Sequence, residues 1–249
     1  MKDFFRNLWE YFFAKYNGVT DEPSVRDFIE PKTPKGIDRP RQKDLLETAI
    51  ETHYQNTKVV LNFPTQTKNA CSAYAAGDTK RITCLNKAGQ DVLFNHEYQW
   101  TMQELEEGAG RDWGCSLQGA CNVAKHYPQG APIMEYRRID KNDTEEVLYK
   151  IASGNAIYTG ISWKVMVDWK SNYLKMLATG IWEWVKSKLL GGHAVTLVGY
   201  NDDTQLVKAF EPMRKKWGIN IGGVFYIPYD NLKYTMSQYI FYVTRPLEN

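Results

Sequence analysis

Five strand-like runs, NAIYTGIS, GHAVTLVGY, TQLVKAFEPM, GGVFYIPY and QYIFYVT, crowd into the second half of the chain, and helix-like segments fill the half before them. Helices first and strands second predict an α+β protein built in two halves. With 249 residues the chain is long enough for one large domain, or two small subdomains, around a sizeable core.

Before the strands, helices are expected over residues 42–54, from Cys71 to about residue 86 despite Gly77, over 98–107, through ACNVAKHY, and over 144–152. KVVLNFP reads as a short extended run stopped by Pro64, KAGQDVLF as a turn, and GRDWGCSLQG as a tight loop. A Trp-rich insert, WKVMVDWKSNYLKMLATGIWEWVKSKL, separates the first two strands.

At the N-terminus, Phe4, Phe5, Leu8, Trp9, Phe12, Phe13 and Tyr16 recur at helical spacing and give one apolar face. That face can pack on the body of the protein or on a second copy. It can also serve as a pro-segment over a groove, or as a docking helix for a protein partner in a larger assembly. Residues 18–41, with four prolines and many charges, read as an extended arm.

Thirty-one basic residues against 29 acidic ones leave a net charge of +2, which argues against nucleic acid as the main partner. The four cysteines, Cys71, Cys84, Cys115 and Cys121, form no CxxC pair and have no histidine at metal-ligand spacing, so no metal or other cofactor is expected. So few cysteines do not make a disulfide framework, which fits a reducing compartment. There is no run of 18 apolar residues to span a membrane. Asp3, Arg6, Glu10 and Lys15 interrupt the N-terminal apolar stretch and make it no signal peptide, so a cytoplasmic location is expected.

In QTKNACSAYA, Cys71 stands at an expected helix start, five residues after Gln66. It is either a small hydrophobe filling a gap or a nucleophile. His193 opens the apolar strand GGHAVTLVGY directly after two glycines, where a side chain can face a cleft. It is either a satisfied structural histidine or a general base. Taken together the two are more specific, because a helix N-terminus and an adjacent imidazolium both lower a thiol pKa.

From about residue 59 onward the chain resembles the papain-like cysteine peptidases, divergent and of bacterial or phage type. QTKNACSAYA resembles the family's Gln–x–x–x–Gly–x–Cys–Trp–Ala–Phe segment, one residue shorter. GQDVLFNHEYQWTMQELEEG resembles its next helix and lead-in, and WGCSLQGACNVAKHY its Gly–Cys–Asn–Gly–Gly loop and following helix. GNAIYTGIS and LATGIW resemble the strand pair before the catalytic histidine, and GGHAVTLVGY the histidine strand. FEPMRKKWGINIGGVFYIPY resembles the Asn–Ser–Trp–Gly block and closing strand.

The resemblance implies a helical subdomain (59–140) and an antiparallel, β-barrel-like subdomain (141–249) with the site in the cleft between them. Residues 1–58 would form a separate N-terminal helix and arm. It implies Cys71 as nucleophile, His193 as base and later acid, and Gln66 as a side-chain donor to the oxyanion beside the Cys71 N–H. Gln118 and Gly119 would bind the substrate backbone as an added strand.

Several positions depart from the family. Counting back from Trp217, Glu211 stands where the family has its orienting Asn, and Met213 where it has a shielding Trp. A carboxylate at Glu211 would hold the imidazole Nδ1–H, with Asp202 or Asp203 as the fallback. Ser72 replaces the Trp after the nucleophile, and Gln118 replaces a glycine. Cys115 matches one half of the family disulfide, while Lys68 and Asn69 occupy the region of the other half.

The implied activity is hydrolysis of polypeptide through a thioester acyl-enzyme. The alternatives are cleavage of cell-wall stem peptides by the same residues, and a peptidase fold kept as a structural or binding module.

Overall fold

The computed structural model describes residues 38–67, 69–110, 114–126, 134–164, 175–176, 178–183, 189–215, 220 and 222–243. The N-terminal aromatic helix, most of the arm and of the Trp-rich insert, Lys68 and Trp217 lie outside the described residues.

The described chain enters through a short strand, β1 (Gln42–Asp44), and helix α1 (Leu45–Thr57). Sequence periodicity expects the helix from residue 42, but it starts at Leu45. Asp44 is its N-cap and accepts from the N–H groups of Leu46 and Glu47, so the backbone before it stays extended. KVVLNFP then runs as an irregular segment and joins no strand ladder.

Helix α2 (Cys71–Ala88) is the axis of the helical half. Ala73, Ala75 and Ala76 keep it slim. At Gly77 a Cβ would lie 2.6 Å from the Phe94 ring and 2.7 Å from His96, so only glycine admits that packing. The helix ends at Gly89, whose left-handed φ of 69° lets its N–H reach Leu85 O.

Helices α3 (His96–Glu106) and α4 (Leu117–Ala124) pack on α2, each capped by a polar side chain, Asn95 and Ser116 respectively. Strand β2 (Met134–Ile139) and helix α5 (Thr144–Ala152), capped by Asp143, lead into the β half.

That half holds β3 (Ile157–Lys164), β4 (Leu189–Asn201), β5 (Leu206–Phe210) and β6 (Val224–Pro228), then a 3-10 turn (Tyr229–Tyr234) and β7 (Gln238–Val243). The sheet is antiparallel, in the order β2-β7-β3-β4-β5-β6, with β1 added to β4. Its described strands leave it open, with β2 and β6 at the ends, so "barrel-like" overstates its curvature. Backbone bonds from Trp182 to Tyr226 and from Tyr226 to Gly180 place a piece of the insert along β6.

Helix α1 and strand β1 are built into this unit. Leu45, Leu46 and Ala49 share one core with Ile82 and Leu85 of α2, Leu148 and Ile151 of α5, and Val195, Leu197 and Val207 of the sheet. At Gly199 a Cβ would stand 2.5 Å from Lys43 O, so glycine is what lets β1 close on β4. A second core joins α2 and α4, through Ala75, Ala76, Ala120 and Cys121, to Tyr158, Tyr239 and Phe241 of the sheet.

The two halves are pinned together where β4 crosses α2. Thr196 on β4 donates its hydroxyl to Ala75 O (3.1 Å) and meets the hydroxyl of Thr79 at 2.9 Å. From that point, one helical turn back along α2 is Cys71, and three residues back along β4 is His193.

Candidate active site

The sequence places a thiol at the first residue of α2, and the local structure gives it an unusual setting. The N-cap, Ala70, makes no side-chain cap bond, and the first turn carries no acidic residue. The other described α-helices all begin with a capping Asp, Asn or Ser. The first N–H groups of a helix have no partner within it, so α2 offers uncapped donors and its positive dipole end beside Cys71.

Cys71 is half-buried and its sulfur hydrogen-bonds the imidazole of His193. Burial alone would raise the thiol pKa. The His193 bond and charge, with help from the backbone at Ala194 and Ser72, outweigh it and bring the thiol below its ordinary value. His193 is 4% exposed. Burial would lower its pKa, but the bonds and charges of Cys71 and Glu211 reverse this and hold the ring up at about 9. Each group thus favours the charged form of the other.

On its far side, His193 Nε2 lies 3.2 Å from Oε2 of the fully buried Glu211. The carboxylate therefore takes Nε2, a correction to the expectation that it would hold Nδ1; Nδ1 is the ring nitrogen left for the sulfur. The turn after β5 wraps Glu211 closely. Met213 N–H donates to Oε2 and Lys215 N–H to Oε1, both at 2.7 Å. Asp202 and Asp203 are turned elsewhere: Asp202 binds Arg39 and the Tyr229 hydroxyl, and Asp203 pairs with Arg41.

Gln66 is held against the same turn, its N–H donating to Pro212 O at 2.9 Å. Thr67 donates to Glu97 (2.7 Å), which also receives the Tyr74 hydroxyl from α2. These bonds fix the loop before Cys71 to α3.

Gly119 departs from the expected strand-like presentation. It lies buried in the first turn of α4, and its N–H is donated to Ser116 Oγ at 2.9 Å. The sequence signal that competed was the Ser116 cap three residues earlier. Gln118, half-buried, shares that turn. Ser72, where the family has Trp, turns its hydroxyl to the buried Gln103 at 2.9 Å. None of the four cysteines forms a disulfide, and a Cβ added at Gly114, next to Cys115, would lie 3.6 Å from Asn69 O.

Arg214 is the residue that sequence reasoning passed over. Its guanidinium donates to Glu211 O (2.8 Å) and to Oδ2 of Asp78 on α2 (2.5 Å). Its place three residues after Glu211 was the available signal.

An α+β fold with a thiol on a central helix, an imidazole on the sheet and a carboxylate in the turn after β5 is papain-like in architecture. Xylellain, a cysteine protease from Xylella fastidiosa, is similar with a TM-score of 0.66 over 91% of this chain and 95% of its own, at 18% identity. The bromelain protease from Ananas comosus is similar with a TM-score of 0.56 over 84% and 100%, at 16% identity. Procathepsin B from Trypanosoma congolense gives 0.58 over 91% and 87%, at 14% identity. No family model matches the chain, and comparison with curated proteins also finds no match.

Proposed function

We propose that this protein is a cysteine peptidase that hydrolyses polypeptide through an acyl-enzyme on Cys71. The observation that carries the reading is the Cys71–His193–Glu211 chain, assembled from a helix, a strand and a turn far apart in sequence, with the thiol lowered and the imidazole raised.

The thiolate attacks the carbonyl carbon of the scissile amide, and the carbonyl oxygen becomes an oxyanion. The Cys71 N–H at the start of α2 and the Gln66 side-chain amide are the donors proposed to meet it. His193, as imidazolium, gives its proton to the leaving amine as the C–N bond breaks, and a thioester remains. Water then attacks the thioester, His193 takes its proton, and the thiolate leaves to regenerate the ion pair. Glu211 holds the ring through Nε2 and favours its charged form. Gln118 is proposed to contact substrate through its side chain.

The test is hydrolysis of an unfolded protein substrate, with the new termini read by mass spectrometry. Wild type is expected to cleave, and Cys71→Ala to lose at least ~10³-fold in kcat/KM. Unchanged cleavage by the alanine variant contradicts the reading. Cleavage of purified peptidoglycan stem peptides but not of protein would move the substrate to the cell wall.

A further inference from the structure

The mechanism leaves Arg214 unused, yet its side chain is heavily engaged beside the site. Its backbone sits at φ 54°, a left-handed conformation that a non-glycine residue keeps only where its contacts enforce it. One arm of the guanidinium donates to Glu211 O at 2.8 Å, and the other to Asp78 Oδ2 at 2.5 Å, with Pro64 O at 3.4 Å. Its flat face lies 3.9 Å from the centroid of the Phe210 ring. Asp78 is fully buried on α2, seven residues after the nucleophile.

A buried charge pair that merely filled space would replace apolar packing at little gain. This one spans the two halves of the fold, joining the helix that carries Cys71 to the turn that carries Glu211. The same turn also receives Gln66 N–H at Pro212 O. We infer that Arg214, braced on Asp78, is a positioning residue that sets the Glu211 turn, and through it His193, against Cys71. The inference rests on the reading of Cys71, His193 and Glu211 as a peptidase site.

Among the described residues, Cys71 and Glu211 bear on the charge of His193. Cys71 faces it from α2 and Glu211 from the turn after β5, and its ladder partner on β3 is the uncharged Ile161. Behind Arg214 stand Asp78 and, 3.4 Å from the other Asp78 oxygen, His96 of α3. If the turn shifts, Glu211 supports the imidazolium less well. The acid limb of Cys71 ionisation then moves up toward an ordinary thiol, and the alkaline limb of kcat/KM moves down from about 9.

The experiment compares the full-length chain with Arg214→Lys, Arg214→Met, and Arg214→Met combined with Asp78→Asn. Lysine keeps the charge but not the two-armed fork. The double variant leaves no unpaired buried carboxylate if the single one fails to fold. Each is measured for alkylation of Cys71 by iodoacetamide across the thiol range, and for kcat/KM against pH.

The expected result for a folded variant is both limbs closing by roughly one pH unit. A fall of up to about 100-fold in kcat/KM accompanies it, with KM little changed. Wild-type limbs in a folded double variant overturn the inference, as does full rescue by Arg214→Lys. If wild type cleaves no peptide, the peptidase reading fails by itself. The alkylation profile then still decides: shifted limbs support the role of Arg214 and unshifted limbs overturn it.

Discussion

At the scale of single residues, the site is a proton-sharing arrangement in which each member sets the charge of the next. Cys71 is lowered and His193 is raised to about 9, so the thiolate–imidazolium pair exists between the two values. The signs give a bell. Below the acid limb the sulfur is protonated and cannot attack. Above about 9 the imidazole is neutral and has no proton for the leaving amine. A kcat/KM profile should therefore show an alkaline limb near 9. Glu211→Gln keeps a hydrogen-bond acceptor but removes the charge, and should bring that limb down with a loss of roughly 10-fold or more. An unchanged limb in that variant would mean that the carboxylate does not support the imidazolium.

At the scale of elements, legibility in the sequence followed periodicity. The helix over 144–152 and the five strand runs were readable because their apolar spacing is set by what they bury. Strand β2 was missed: MEYRRI carries three charges and pairs only at the sheet's end. The brevity of β1 hid it inside an expected helix. Cys71, His193 and Glu211 were legible through resemblance, but Gly119 was not read as helical, and the Arg214–Asp78 contact has no local signal at 136 residues' separation.

The contact of Gly223 with the Glu211 turn supplies the test at this scale. Gly223 has φ 89°, and a Cβ there would lie 2.5 Å from Glu211 O and 3.0 Å from Arg214 Cα. Gly222 has φ 69° but open space around it. Both alanine variants should lose about 1–2 kcal/mol to backbone strain, read by denaturant unfolding. Only Gly223→Ala should also lose activity, by about 10-fold or more, because it must move the carbonyl that Arg214 grips. Equal activity in the two would contradict the role assigned to the turn.

At the scale of the whole molecule, the two halves meet along α2, which packs on α1, α3 and α4 and crosses β4 at Ala75–Thr196. The crossing brings a helix start and a strand residue together although 122 positions separate them. Residues 42–57, grouped by sequence with the N-terminal arm, belong to this same body through β1 and the Leu45–Ala49 core. Among the described residues no helix is long and apolar enough to cross a membrane.

The central claim is that this architecture turns one of four cysteines into a nucleophile. The environments differ sharply: burial pushes Cys84 up to about 11, whereas His193 brings Cys71 down. The most direct measurement is peptide mapping by mass spectrometry after brief treatment of the folded protein with an epoxide-type thiol inhibitor at neutral pH. A single adduct is expected, on Cys71, lost on His193→Ala. Equal labelling of Cys71, Cys84, Cys115 and Cys121, or an adduct unaffected by removal of the imidazole, would contradict the claim.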